Sequence, residues 1–297
     1  MSSLRNERVD ELLATLRAVP AEAREYTFTD AAAATLFGLD GEALERLVAE
    51  GLPCATVDGE RRYDSADLHY VGLRLGVAKV FLWTIRAWAS ALVRFAAQPT
   101  TTVGFSYLTQ LSDASAAVDG TVRVPGGERV AARFEHNAVA AQFEAQLRAD
   151  WPALGEDVTE LLRDVAAYEF YGLPTWLRAQ PDRVRELRMG ECEATTRVLL
   201  EDCRAVGIEA RAAHGLLVAL PYSLPHAWTE VRVEDVWVPV DPLIVAVLWR
   251  FAGLDREAWP LTRSTGAMLV RLGDAFEPLA ATVGTPVHTT VLTSVVG

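Results

Sequence analysis

The stretch HAWTEVRVEDVWVPVDP, His226 to Pro242, decides the reading of this chain. His226 to Val233 and Val236 to Asp241 are rich in Val, Trp and Thr, and each reads as a strand. Glu234 and Asp235 remain as the turn between them. If Val233 faces Val236, then Trp228 faces Asp241, and His226 lies two residues along on the same side. Diagonal neighbours on one face of a hairpin sit roughly 7–8 Å apart at the backbone, within reach of an imidazole–carboxylate hydrogen bond. Glu-Asp is not a favoured two-residue turn, and a loop of other parity breaks this register.

Upstream, Met189-Gly190-Glu191 closes an irregular stretch that holds Pro181. From Cys192 the pattern turns helical. Cys192, Thr195, Leu199 and Cys203 recur at three- and four-residue steps, with Leu200 beside them. Glu193, Arg197, Glu201 and Arg204 fall on the opposite face at spacings that suit ion pairs. Gly207 is a natural stop. Cys192 therefore sits in the first turn of a helix. There the helix dipole favours thiolate over thiol, and free backbone N–H groups can hold an oxyanion.

A thiol, an imidazole and a carboxylate are the set that makes a nucleophilic cysteine: a base takes the thiol proton, and an acid orients the base. Each has an ordinary reading. A cysteine near a helix start is a small core residue, a strand histidine is packing, and Asp-Pro is a turn. Together, in this order, they make acyl transfer through a thioester the leading expectation.

The same islands resemble the core of the transglutaminase-like superfamily. The resemblance rests on Gly190-Glu191-Cys192, on Gly207-Ile208-Glu209-Ala210-Arg211 followed by Gly215, on His226-Ala227-Trp228-Thr229-Glu230, and on Trp237-Val238-Pro239-Val240-Asp241-Pro242. It runs from Gly190 to Leu243. It implies Cys192 as nucleophile, His226 as base and Asp241 as orienting acid. It also implies an α+β fold in which a helix-borne cysteine packs on an antiparallel sheet. The superfamily includes protein cross-linkers, peptidases, peptide amidases and amide-forming enzymes of natural-product pathways. Peptidase or amidase action on a peptide-like substrate leads. Amide formation from a carrier-protein thioester, trimming of a leader peptide, and a non-catalytic DNA-binding regulator stay open.

At 297 residues the chain can bury a sizeable core and hold more than one unit. Its formal net charge of −12 disfavours bulk nucleic-acid binding and attachment to an acidic membrane. Cys54, Cys192 and Cys203 form no disulfide framework, which suits a reducing compartment. Met1 to Asp10 is charged and has no apolar run of a secretory signal. The expected compartment is the cytoplasm. No zinc-type spacing or Gly-rich phosphate loop occurs, so no metal or cofactor is expected.

Residues 1–76 read as a helical domain. Leu4 to Val19 is amphipathic and ends at Pro20. Thr29-Asp30 caps a helix through Phe37, and Glu42 to Glu50 forms a second. Leu52 to Tyr63 is a hairpin with Asp58-Gly59 at its tip, and Ser65 opens a third helix. With Gly59-Glu60-Arg61-Arg62-Tyr63 and Ala66-Asp67-Leu68, this is similar to the winged helices of excisionase and MerR-type proteins. Between Tyr26 and Gly76, however, nine acids face four bases. Only Arg61-Arg62 is left to touch phosphate, so the expected partner is a peptide or an acyl-carrier protein, not DNA.

Residues 77–127 read as a long helix and an irregular linker. Gly76 to Ala97 is apolar, but Lys79, Arg86 and Arg94 share one helical face and argue against a membrane span. A helix that links domains or packs in a homodimer is the better reading. Pro99 to Gly127 is rich in Thr, Ser and Gly and reads as a linker or lid. Residues 128–297 read as the catalytic domain, starting with amphipathic helices at Val130–Arg148 and Asp157–Tyr171. Trp228, Tyr171 and Trp176 are candidates to line a substrate pocket. His214 and His288 read as structural. Ile244 to Ala252 reads as a helix, and Met268 to Leu272 and Thr289 to Val295 as strands of a small antiparallel sheet or barrel.

Overall fold

The computed structural model describes residues 2–111, 117–282 and 287–296. The front region runs α1 (Ser2–Ala18), β1 (Tyr26–Thr29), α2 (Asp30–Phe37), α3 (Gly41–Ala49), β2 (Ala55–Val57), β3 (Glu60–Asp64) and α4 (Ser65–Arg74). Its helix starts follow capping chemistry: the side chains of Thr29, Asp40 and Asp64 accept the free N–H groups of the first turns of α2, α3 and α4. Asp58 (φ 53°) and Gly59 (φ 80°) make the tight turn between β2 and β3, as the Asp-Gly pair predicts. The strands β1, β3 and β2 form a small antiparallel sheet in that order.

Next come α5 (Lys79–Phe95), β4 (Thr100–Leu111), β5 (Val118–Arg123), β6 (Arg129–Phe134) and β7 (Ala138–Arg148). Here the structure corrects two sequence readings. The stretch after Pro99 is not irregular: β4 buries Val103, Phe105, Tyr107, Thr109 and Leu111 at alternate positions, which is strand periodicity. Residues 112–116 of that reading lie outside the described residues. Val130 to Arg148 is not helical either. Its Ala, Glu and Gln favour helix, but β7 pairs with β4 over its whole length from Thr100↔Arg148 to Thr109↔Ala138, and sheet context overrides propensity.

The rest runs α6 (Glu156–Ala166), β8 (Glu169–Phe170), α7 (Thr175–Arg178), α8 (Pro181–Leu187), β9 (Met189–Gly190), α9 (Cys192–Ala205), β10 (Ala210–Leu217), β11 (Tyr222–Val233), β12 (Val236–Val240), α10 (Pro242–Ala252), β13 (Leu269–Gly273), β14 (Ala280–Thr282) and β15 (Val287–Val295). The expected helix after Asp157 thus ends at Ala166, and Glu169–Phe170 is a short strand. The main sheet is antiparallel and curled, in the order β13-β10-β11-β15-β4-β7, with β12 also on β11. The fold is α+β.

Two apolar clusters hold it together. One lies between α5, α10 and the main sheet and includes Trp88, Phe105, Tyr107 and Trp228. The other joins Leu12, Leu16, Leu44 and Leu68 of the front region to Leu162, Val198, Leu199 and Val240. The buried side of the front region is therefore continuous with the layer that carries α9. A buried hydrogen bond to an ion-paired aspartate crosses the join. Arg24 Nε donates to Asp67 Oδ2 at 2.7 Å, and Tyr171 donates its hydroxyl to Asp67 Oδ1 at 2.8 Å. No single helix among the described residues is long and apolar enough to cross a membrane.

Candidate active site

Cys192 is the first residue of α9 and is partly exposed. The helix begins there because β9 ends at Gly190, and Glu191 stands in extended geometry as the residue before the helix. A side chain at Gly190 would meet Ala194 Cβ at 3.2 Å and Thr195 Cγ2 at 3.3 Å, so glycine lets the strand end lie against the first helical turn. Ala194, Val198, Leu199 and Cys203 anchor the helix by their burial. Gly207 (φ 77°) ends it in the left-handed region.

The hairpin takes the register set by Val233 opposite Val236, and it continues to Thr229 opposite Val240. The turn needs a left-handed residue, which Glu234 supplies at φ 53°. This brings His226 Nε2 to 2.5 Å from Asp241 Oδ2. Both side chains are buried. The other oxygen of Asp241 accepts the Ile244 N–H at 3.0 Å, so the carboxylate also caps α10, with Pro242 at its first position. Asp241 is thus held from two directions, and it holds the imidazole. The remaining ring nitrogen, Nδ1, is left for the Cys192 thiol, with which His226 is hydrogen-bonded.

Burial alone would favour a neutral His226. Its hydrogen bonds to Asp241 and Cys192, and its electrostatic interaction with both side chains, overcome this and raise it to about 10. His214 shows the opposite case. It is buried, neither ring nitrogen has a hydrogen-bond partner among the described residues, and burial, with Arg123 and His226 nearby, lowers it to about 4. The pH signs follow. A raised His226 stabilises the fold fully below about 6.5, and that contribution is lost as pH climbs toward 10. A lowered His214 costs stability as pH falls from about 6.5 toward 4. Ring-nitrogen NMR is expected to find His226 as imidazolium and His214 neutral at pH 7. A neutral His226 there would contradict this electrostatic picture.

Residues 141–242 match the model of the transglutaminase-like superfamily. They form a transglutaminase-like domain. The matched segment starts within β7 and ends at the first residue of α10, so it holds Cys192, His226 and Asp241. No curated protein matches this chain. A crystal structure of a candidate cysteine protease from Cytophaga hutchinsonii is similar at 14% identity and a TM-score of 0.38, over 67% of this chain and 91% of that one. At that score the likeness decides nothing about this chain. The family match supports a cysteine-dependent enzyme in general terms.

Within the transglutaminase-like domain the three expected pocket residues part company. Trp228 is buried and stacks beneath His226, with ring centroids 6.5 Å apart and an angle of 17°. It is a shelf for the imidazole rather than an open wall. Tyr171 is buried too, and its hydroxyl is taken by Asp67. Both correct the pocket reading, because core packing and a hydrogen bond already use these side chains. Trp176 is 45% exposed on α7 and stays free to meet a substrate.

The sequence reading passed over the acids that flank the thiol. Glu191 is largely buried, and burial raises its carboxyl while Arg178 opposes the shift. Its Oε2 accepts the Leu173 N–H at 3.2 Å. Arg178 lies 3.3 Å from Glu191 and 3.3 Å from Glu193, clamping both acids beside Cys192. The available signal was an acidic residue on each side of one cysteine. Their shared arginine stands fourteen positions upstream of Cys192, beyond any local pattern.

Proposed function

We propose that this chain is a cysteine peptidase or amidase that acts on peptide-like substrates through a thioester acyl-enzyme. The observation that carries the proposal is the buried His226–Asp241 pair hydrogen-bonded to a thiol at a helix start. The Cys192 sulfur attacks the amide carbonyl carbon. His226 holds the thiol proton and passes it to the leaving nitrogen as the C–N bond breaks. Water then attacks the thioester and gives a proton to His226. An acid leaves, and the thiol is restored. The Cys192 backbone N–H, free in the first turn, is placed to hold the oxyanion. Asp241 keeps Nδ1 turned to the sulfur and stabilises the imidazolium.

DNA has no place in this reading. Arg61 is engaged by Asp30 and Glu45, and Arg62 by Glu60, so the arginines of the β2–β3 hairpin are already neutralised. Phosphate binding needs free cations.

The thiol is tested by iodoacetamide labelling near neutral pH with peptide mapping. Cys192 is expected to label far faster than Cys54 or Cys203. Cys203 is buried, and burial pushes its thiol up to about 11. Equal labelling of all three would sink the proposal. Offering peptide and carrier-thioester libraries to a His226→Ala variant, with intact-protein mass spectrometry, identifies any acyl group trapped on Cys192. An adduct from carrier thioesters alone would transfer the reading to amide formation.

A further inference from the structure

Between α5 and the first half of β11 lies an open groove of about 480 Å³. Val80, Trp83 and Ala87 of α5 form one wall, and Tyr222, Leu224 and Pro225 form the other. Val80, Trp83, Tyr222 and Leu224 are all substantially exposed, from 42% to 74%. Single exposed apolar residues are ordinary, but four that share one concavity mark a binding surface. Residues of α5 lie outside the matched segment 141–242, so this wall is added to the transglutaminase-like domain from elsewhere in the chain. Pro225, one of its lining residues, directly precedes His226 in β11.

Its rim is positive. Lys79 and Arg86 stand four residues before and three after Trp83, which makes them its neighbours on the helix surface. Both are exposed, and neither has an ion-pair partner among the described residues. The strand wall is also open. The Pro221 carbonyl accepts the Thr293 N–H of β15, whereas the Arg232 N–H turns toward Glu209 on the β10 side. Backbone direction alternates along a strand, so odd-numbered residues of β11 point to the edge away from β10. On that edge β15 pairs at Tyr222–Ser223 and β12 at Thr229–Val233. Between them Pro225 is exposed and has no ladder partner on that edge among the described residues, although Thr289 and Thr290 of β15 line the same groove.

We propose that the groove is the specificity site for an acidic, extended peptide. A bulky apolar side chain fills it, the Pro225 carbonyl accepts a peptide N–H, and acidic residues lie against Lys79 and Arg86. This rests on the reading of Cys192 as a nucleophile toward peptide-like amides, and it deepens that reading. A peptide held at Pro225 presents its neighbouring bonds to His226.

The 297-residue Cys192→Ala chain is titrated, by fluorescence anisotropy, with labelled peptides that carry Phe among glutamates. The controls replace Phe by Ala or the glutamates by lysines. The acidic Phe peptide is expected to bind at least about ten-fold more tightly than either control. Thr84→Trp, which fills the groove, and the surface double change Lys79→Glu with Arg86→Glu should each weaken it about ten-fold. The advantage of the glutamates should shrink with added salt. Equal binding of the three peptides, or binding indifferent to both variants, overturns the proposal. So does tight binding confined to an acyl group on an acidic carrier protein, or a dimer in sedimentation that Thr84→Trp dissociates. Binding needs no thiol in this assay. Failure here beside rapid alkylation of wild-type Cys192 removes the groove and leaves the nucleophile, and the converse removes the nucleophile.

Discussion

Cys192→Ala is expected to lose turnover by a factor on the order of 10⁶, the scale seen when the nucleophile of a triad is removed. The fold should persist, because Cys192 is partly exposed and its sulfur supports no part of either apolar cluster. Stability within about 0.5 kcal/mol of wild type is the expected control. Asp241→Asn should be milder, with a loss on the order of 10²–10⁴-fold. The amide oxygen still accepts the Ile244 N–H, so α10 stays capped, but the charge and tautomer control on His226 go. Steady-state kinetics on any substrate found by adduct trapping make the measurement. Turnover that survives Cys192→Ala would end the case for a cysteine nucleophile.

Asp67→Ala is expected to cost about 3–5 kcal/mol of stability, because it leaves a buried guanidinium without its counter-charge. The side chains of Arg24 and Asp67 are 4% and 0% exposed. Burial raises the Asp67 carboxyl, and Arg24 opposes that shift. Arg24 also donates to the carbonyls of Leu16 and Val19, so it cannot swing to solvent without undoing the end of α1. Tyr171→Phe removes one hydrogen bond of the same network and should cost about 1 kcal/mol. Urea unfolding at constant slope gives both values. Replacing both ions together by apolar residues should recover much of the loss. An Asp67→Ala midpoint equal to that of wild type would show that the Asp67 network does not support the fold.

The arrangement of the candidate site was legible in the sequence because its parts are local. Cys192 announces itself by the helical pattern that follows it. His226 and Asp241 are linked by one hairpin, whose register follows from a two-residue turn even though that turn is built on an unusual left-handed glutamate. The helix starts and the hairpin tip of the front region were legible for the same reason, since caps and an Asp-Gly turn are short-range signals. The middle of the chain was not. β7 is rich in Ala and Gln, and it becomes a strand only because β4 lies beside it some forty residues away in sequence. β4 itself did carry a readable alternation at Val103, Phe105 and Tyr107, masked by its Thr and Ser. Tyr171 was misread because nothing near it in sequence foretells Asp67, and Trp228 because stacking on an imidazole and lining a pocket call for the same aromatic residue.

The link from Asp67 to Tyr171 has a bearing on how such a chain can be cut and recombined. Tyr171 also donates its backbone N–H to the Gly190 carbonyl, two residues before the thiol. A graft of another front end onto this core would strand a phenol and leave the strand end at Gly190 resting on an unsupported residue. Residues 1–76 are therefore not an interchangeable cassette. Chimeras that join at residue 76 should be lost at the folding step, whereas exchanges confined to the β2–β3 hairpin tip at Asp58–Gly59 should be tolerated.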